Sequence, residues 1–290
     1  MSFFKNILGS KDHTKEIAEI LPIAECKAEC LASECHTKFP NSAEVKGADA
    51  TADLWMSTKP YALHCLVSTG KTDWQHDATD TPLSLENHLS QWASNNSRVA
   101  GGTIKVSCSS LPNHDHENLT GDVLILPYFV WVKGCPNGQI GDVMSELVPK
   151  LKLAEKGKIS LPKELGGVEI AVDPSHAYVF LCSHRTRDKR CGITAPLMKK
   201  EMDIDLRDRD LLRDFGDDRP GGVTVAFINH VGGHKFAANL LIYLRSGENV
   251  WFARCRPTNC KAIISETILG GGKVWPEYLR LAQRFSPVKW

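Results

Sequence analysis

Cys182 and Cys191, separated by eight residues, and His230 and His234, separated by three, are the side chains whose types and spacing carry the clearest chemistry in this sequence. Two thiolates and two imidazoles are soft to borderline donors. That set excludes magnesium and calcium as natural occupants and leaves zinc or an iron–sulfur centre. Zinc knuckles take their cysteines from a tighter C-x2–4-C turn, whereas the wider span from Cys182 to Cys191 suits a loop wrapping a two-iron cluster. Gly232 and Gly233 allow the chain to bend so that both imidazoles face the same ion. Arg185, Arg187, Lys189 and Arg190 lie between the cysteines; they either dock an acidic electron donor and stabilise added charge, or form a solvated loop. His184 and His176 are near but off the pattern and are not expected to ligate. Asn239 is expected to cap or brace the histidine loop.

The sequence holds ten cysteines and no secretory signal. In a reducing compartment disulfides do not persist, so closely spaced thiols point to metal binding or redox chemistry. Cys26, Cys30 and Cys35, followed by His36, form a second thiol group that could bind zinc, close a redox disulfide, or ride one face of a short helix. Cys255 and Cys260 bracket a turn before the last helix. Cys65, Cys108 and Cys135 stand alone and read as small buried hydrophobes. Gly270, Gly271 and Gly272 form a hinge-like loop rather than a phosphate cradle, because no G-x4-G-K-[ST] pattern follows a strand.

The elements that must position these residues read as two successive α/β series, each of about 100–130 residues, within the usual range for a domain. Residues 1–20 form a polar, flexible leader, and 21–165 an N-terminal α/β domain. That domain holds a strand at 61–67, a helix at 82–94, strands at 102–108 and 123–132, and a helix at 141–152. The lysine- and glycine-rich stretch 155–167 marks the boundary. From 168 to 290 a strand at 177–182 delivers Cys182 and a strand at 223–229 delivers His230. A charged helix broken in its middle spans 196–215, a hairpin covers 240–254, and a helix at 261–269 closes the domain. Loops at the carboxyl ends of neighbouring strands converge on one crevice in an α/β sheet, so these distant residues can meet there.

Over 290 residues, 42% are hydrophobic and 24% charged, the composition of a folded globular protein. Lysines and arginines number 35 against 34 acidic residues, giving no electrostatic footprint for nucleic acid. No run approaches the ~18 apolar residues of a membrane-spanning helix. The first residues contain no arginine and already include Asp12 and Glu16, a weak match to a mitochondrial transit peptide.

The stretch from Cys182 through Arg185, Arg187, Lys189 and Cys191 to Pro196, with His230-Val-Gly-Gly-His-Lys-Phe-Ala-Ala-Asn239, resembles the sucrase/ferredoxin-like family. Within that family it is most similar to the fungal actin-patches-distal and mitochondrial-inheritance group. The resemblance extends to Leu54-Trp-Met-Ser-Thr-Lys-Pro-Tyr61, to Ser68-Thr-Gly-Lys-Thr-Asp-Trp-Gln-His-Asp77, and to 251–290, so it covers about residues 20–290. It implies a pair of thioredoxin-like α/β domains, the C-terminal one a thioredoxin-like ferredoxin carrying a 2Fe–2S cluster on Cys182, Cys191, His230 and His234. His230 and His234 stand where related ferredoxins have a C-x3-C pair. If both share one iron the centre is Rieske-like, with a potential of roughly −150 to +300 mV against about −400 mV for a plant-type four-cysteine centre. The imidazoles also titrate, so reduction can couple to proton uptake. No paired carboxylate motif supports a glycosidase. The implied protein is an electron carrier in cytoplasmic redox homeostasis rather than a stand-alone enzyme, with nuclear or mitochondrial placement as alternatives. Its partners are a redox protein such as a flavoprotein reductase and the cytosolic iron–sulfur assembly machinery, with no nucleic acid and no membrane. Two other readings stay open: a zinc-stabilised interaction module, and an oxidoreductase acting on small molecules or disulfides with the cluster as relay. The ending Val288-Lys-Trp290 resembles the short signal of cytosolic iron–sulfur clients, although Lys289 stands where an acid or serine is preferred. Alternatively Trp290 packs over the cluster.

Overall fold

Strands rich in branched and aromatic residues dominate the chain, and in the computed structural model they join into one sheet. Residues 12–40, 52–113, 115, 119–217 and 219–290 are described, the side chain of His234 excepted. In chain order the elements begin with α1 (Thr14–Ala18), β1 (Leu63–Ser68), α2 (Leu85–Asn95), α3 (Ser97–Ala100), β2 (Ile104–Ser109), β3 (Thr120–Leu126), β4 (Val130–Pro136) and α4 (Ile140–Glu155). They continue with β5 (Glu164–Leu165), β6 (Val168–Val172), β7 (Ala177–Cys182), α5 (Lys189–Asp208), β8 (Val223–Ile228), β9 (Leu240–Leu244) and β10 (Glu248–Phe252). Last come α6 (Cys260–Ala262), which widens into a π-helical turn over Ile263–Ile268, and β11 (Leu279–Arg284).

The sheet runs β11-β10-β9-β7-β8-β2-β1-β3-β4-β6-β5. In the N-terminal half β1 lies between a parallel β2 and an antiparallel β3, which pairs in turn with antiparallel β4. The C-terminal half repeats this order, with β7 between parallel β8 and antiparallel β9, then antiparallel β10. The halves meet where β2 pairs with β8 through Ser109 and Ile228. Strands β1, β7, β9 and β10 are buried along their whole length. Strands covered on both faces read as such unbroken apolar runs.

Each half has its own helical cover. Leu89, Val143, Met144 and Leu147 of α2 and α4 pack on β1, β3 and β4. Ala195, Met198, Met202 and Leu206 of α5 pack on β7, β8 and β9. A third cluster joins the halves, setting Leu66, Leu124 and Phe129 against Tyr178, Phe180, Tyr243 and Trp251. Inside it Tyr61 and Tyr243 share a 2.5 Å hydrogen bond and Trp251 Nε1 donates to Tyr61 at 2.9 Å.

Three segments depart from the pattern reading. The run 123–132 is two strands rather than one, because Pro127 has no N–H for a ladder and Phe129 turns with φ 53°. The charged helix starts at Lys189 and continues unbroken through Pro196. Its buried stripe Cys191, Ala195, Met198, Met202 and Leu206 recurs at helical spacing and holds both sides of the proline in place. The helix at 261–269 is followed by β11, which adds an edge strand to β10. Residues 1–11 of the leader lie outside the described residues; α1 already buries Ile17 completely. Among the described residues no helix is long and apolar enough to cross a membrane.

Candidate metal centre

Parallel pairing brings the donors together. Cys182 is in register with Ile228, so β7 and β8 end side by side and His230 follows two residues beyond the second strand. The span expected to be a loop folds as a turn and a helix start. Arg187 and Asp188 both donate backbone N–H groups to the His184 carbonyl, at 3.2 and 3.0 Å. The Asp188 side chain then caps α5 by accepting from the Arg190 N–H at 2.9 Å. Cys191 thereby stands in the first helical turn, 1% exposed, beside Cys182 at 0%.

The two sulfurs share one proton unevenly. A hydrogen bond from Cys191 holds the Cys182 thiol well below the ordinary thiol range, helped by a bond from His230, its charge, and the His184 backbone N–H. The same bond, with burial, pushes Cys191 up. Cys182, fully buried, is thus the sulfur that its neighbours Cys191 and His230 shift toward the thiolate. The structure places Cys182, Cys191 and His230 close enough for each cysteine's proton affinity to answer to its neighbours. The side chain of His234 lies outside the described residues; its backbone opens the 3-10 turn His234–Phe236 beyond Gly232 and Gly233, which have φ 87° and 77°. Among the described residues no group of three or more His, Cys, Asp and Glu side chains stands as a ready metal sphere. Two buried sulfurs with an imidazole beside them are donors that suit zinc or an iron–sulfur centre, so the residues present fit the expected group.

A shell of neighbours fixes these donors, and part of it comes from the other half of the chain. His184 is 1% exposed. Its Nδ1 accepts the His230 backbone N–H at 3.0 Å, and its Nε2 faces the Trp74 carbonyl at 3.0 Å. Burial lowers its pKa, keeping the ring neutral and its acceptor nitrogen available. Ser183 Oγ donates to the Thr72 carbonyl at 2.6 Å, and Thr186 donates its backbone N–H and hydroxyl to Asp73 at 3.1 and 2.9 Å. The loop after β1 therefore clamps the turn between the two cysteines.

Sequence reasoning missed Arg280 of β11, which is 1% exposed. Its Nη1 donates to the Gly232 carbonyl at 2.9 Å and to Asn239 Oδ1 at 2.7 Å. Its Nε and Nη2 donate to Ser57, hydroxyl and carbonyl, at 3.0 and 3.3 Å. Asn239 in turn gives its backbone carbonyl to the Cys182 N–H at 3.0 Å. The bracing role expected of Asn239 is thus shared with an arginine that sits beneath the histidine loop. The local pattern hides it: in the alternation of 279–284 the arginine falls between Leu279 and Leu281 and reads as solvent-facing, but the strand buries four successive residues.

The remaining candidates lie elsewhere or are already engaged. Arg190 pairs with Asp188 at 2.8 Å and Arg187 reaches His76 at 2.8 Å, while Arg185 and Lys189 are exposed. His176 bonds the Ile268 carbonyl at 3.1 Å. Cys255 and Cys260 flank the 3-10 turn Pro257–Asn259 and are buried, as are Cys65, Cys108 and Cys135. Trp290 stacks on Tyr128 at 6.2 Å and its carbonyl accepts from Arg245. Arg245 follows Leu244, which pairs with Ala177 at the opposite end of β7 from Cys182. Trp290 therefore packs on the N-terminal core and not over the cysteines.

Comparison with known proteins places the chain among relatives along nearly its whole length. No solved structure matches the chain. The chain is 36% identical over 295 residues to actin patches distal protein 1 of Saccharomyces cerevisiae, covering 94% of this chain and 92% of that protein. It is 33% identical over 106 residues to altered inheritance of mitochondria protein 32 of Meyerozyma guilliermondii, covering 37% of this chain and 35% of that protein. The sucrase/ferredoxin-like family model matches residues 54–281, which include all four expected donors and Arg280. The chain belongs to the sucrase/ferredoxin-like family.

Proposed function

We propose that this protein is an electron carrier whose C-terminal half, 168–290, holds a 2Fe–2S centre on Cys182, Cys191, His230 and His234. The observation that carries the reading is that buried Cys182 and Cys191 come together with His230 at the joint end of β7 and β8, where Cys191 and His230 shift the Cys182 thiol down. Bound there, the centre would supply one-electron chemistry. The chain's own residues supply its setting. Cys182 is shifted toward the thiolate by its neighbours, Cys191 gives up its proton on binding, and His184 fixes the loop that presents His230 by accepting its backbone N–H. Ile228, Ala237 and Trp251 of the shared core exclude water.

The repeated strand order supports reading each half, 21–165 and 168–290, as a thioredoxin-like unit. A β-α-β followed by an antiparallel pair and a helix occurs twice. The family and its relatives support a redox role in the cytoplasm, with the mitochondrion as the alternative. A flavoprotein reductase and the iron–sulfur assembly machinery are the partners this role calls for. Protein purified without oxygen is expected to be red-brown, with about two irons and two acid-labile sulfides per chain. A colourless protein with a single zinc would replace this reading by that of a zinc-stabilised interaction module.

A further inference from the structure

Arg280 poses an electrostatic problem that its hydrogen bonds do not solve. The four groups it donates to, the Gly232 carbonyl, the Asn239 side-chain carbonyl, and the Ser57 hydroxyl and carbonyl, are all neutral. A buried cation is costly unless a counter-charge stands near it. The rings of Phe236 and Trp251, 5.1 and 6.0 Å from the guanidinium carbon, offer only their quadrupoles. A second cation adds to the imbalance. Lys105 lies over the Tyr61 and Trp251 rings at 5.3 and 5.2 Å, and the Arg280 charge, after burial, lowers its pKa. Burial lowers the pKa of Arg280 to about 10, so a cation placed here is costly as it stands.

The position is as informative as the charge. Arg280 sits under the turn that joins His230 to His234, and that turn is shaped around it. A Cβ at Gly233 would come within 2.7 Å of Arg280 Nη2. Through Asn239 the guanidinium also reaches the backbone partner of Cys182. It is therefore rigidly placed against both halves of the donor set.

We infer that Arg280 is the buried counter-charge of the redox centre, a positioning residue that braces the histidine turn and stabilises the reduced state. The inference rests on the 2Fe–2S reading and deepens it. Two thiolates and two neutral imidazoles leave an oxidised 2Fe–2S centre close to electroneutral. One-electron reduction adds a negative charge in a site of low dielectric, where a fixed neighbouring cation counts most. The tuning charge is then Arg280, behind the histidine turn, rather than Arg185, Arg187, Lys189 or Arg190 in front of it.

Two variants separate charge from bracing. Arg280→Met removes both. Asn239→Asp keeps the acceptor at the same atom but places a carboxylate against the guanidinium, cancelling its charge while leaving the brace intact. Iron and sulfide content, the visible spectrum and the midpoint potential are measured for each, and for Arg280→Lys. The expected result is native iron content in Asn239→Asp with a reduced-to-oxidised ratio about tenfold lower at fixed ambient potential, a shift of about 59 mV to lower potential for one electron. Arg280→Met is expected to move the same way and Arg280→Lys to recover most of the native value. A native potential in Asn239→Asp overturns the inference whatever happens to Arg280→Met, because loss of the centre from that variant alone means a brace and nothing more. Absence of iron from the unmodified protein removes the 2Fe–2S reading itself, and this inference with it.

Discussion

The two halves of the sheet use one architecture for different ends. β1 and β2 are six-residue parallel strands paired along their full length, and so are β7 and β8. Where β7 ends on Cys182, β1 ends on Ser68; two residues past β8 stands His230, and two past β2 stands Leu111. The N-terminal strand ends are spent on joining the halves. Ser110 donates its backbone N–H to the Phe227 carbonyl at 2.9 Å, and its hydroxyl accepts from the Phe227 N–H at 2.9 Å. Asn229 closes the clasp by donating to the Cys108 carbonyl at 3.0 Å and accepting the Cys108 N–H at 3.1 Å. The C-terminal strand ends face the other way chemically, with ionisable sulfur and nitrogen gathered around a buried cation. Fold alone does not assign function; the side chains at equivalent strand ends do.

The comparison breaks most completely if Cys182 is made like its counterpart. Cys182→Ser, and equally Cys191→Ser, is expected to abolish the chromophore and reduce iron content to background, since a neutral hydroxyl is a poor ligand where a thiolate is needed. A native visible spectrum in either variant would mean that the centre lies elsewhere. A smaller effect is expected at the imidazoles. His230→Cys and His234→Cys should retain iron while the midpoint potential falls toward the roughly −400 mV of a four-cysteine centre, because a thiolate adds negative charge that an imidazole does not. The pH dependence of the potential should weaken in the same variants, as a titrating ring is lost. Voltammetry matching the unmodified protein in both would remove the histidines from the donor set.

The placement of the candidate donors was legible for a simple reason: Cys182 and His230 sit at the ends of strongly apolar runs, and such runs reveal strand ends. β7, β9 and β10 could be read for the same reason. What stayed hidden depends on contacts distant in sequence. Arg280 looks like an ordinary exposed position of an amphipathic strand until β11 pairs with β10 and the Gly232 turn closes over it. Ser57, Thr72 and Trp74 lie more than 100 residues from the donors they hold, and no local pattern marks them. The continuity of the sheet was hidden too, since the β2–β8 contact is made through one residue pair between segments that each look complete.

The smallest effect is expected at the remaining group of closely spaced thiols, and the reason is proton affinity. Cys30 Sγ donates to Cys26 Sγ at 3.0 Å, and that bond, with burial, pushes the Cys26 thiol up to about 11. Cys35 donates to the Thr37 carbonyl at 3.4 Å and is pushed up chiefly by burial. Both shifts run upward, opposite to the downward shift of Cys182, so neither Cys26 nor Cys35 is the low-pKa sulfur that would anchor a centre. Coordination number points the same way, because each iron with two bridging sulfides needs only two protein ligands, and the four proposed donors near β7 and β8 would complete that count. The N-terminal segment is held instead as structure. Trp275 Nε1 donates to the Cys26 carbonyl at 2.6 Å, and Asn259 Nδ2 donates to the Ala28 carbonyl at 3.2 Å. Since those bonds use the backbone, replacing Cys26, Cys30 and Cys35 together by serine should leave the fold, the iron content and the visible spectrum unchanged. Loss of the chromophore with an intact circular dichroism spectrum would place a ligand on this segment and erase the contrast between sulfurs shifted up and the sulfur shifted down.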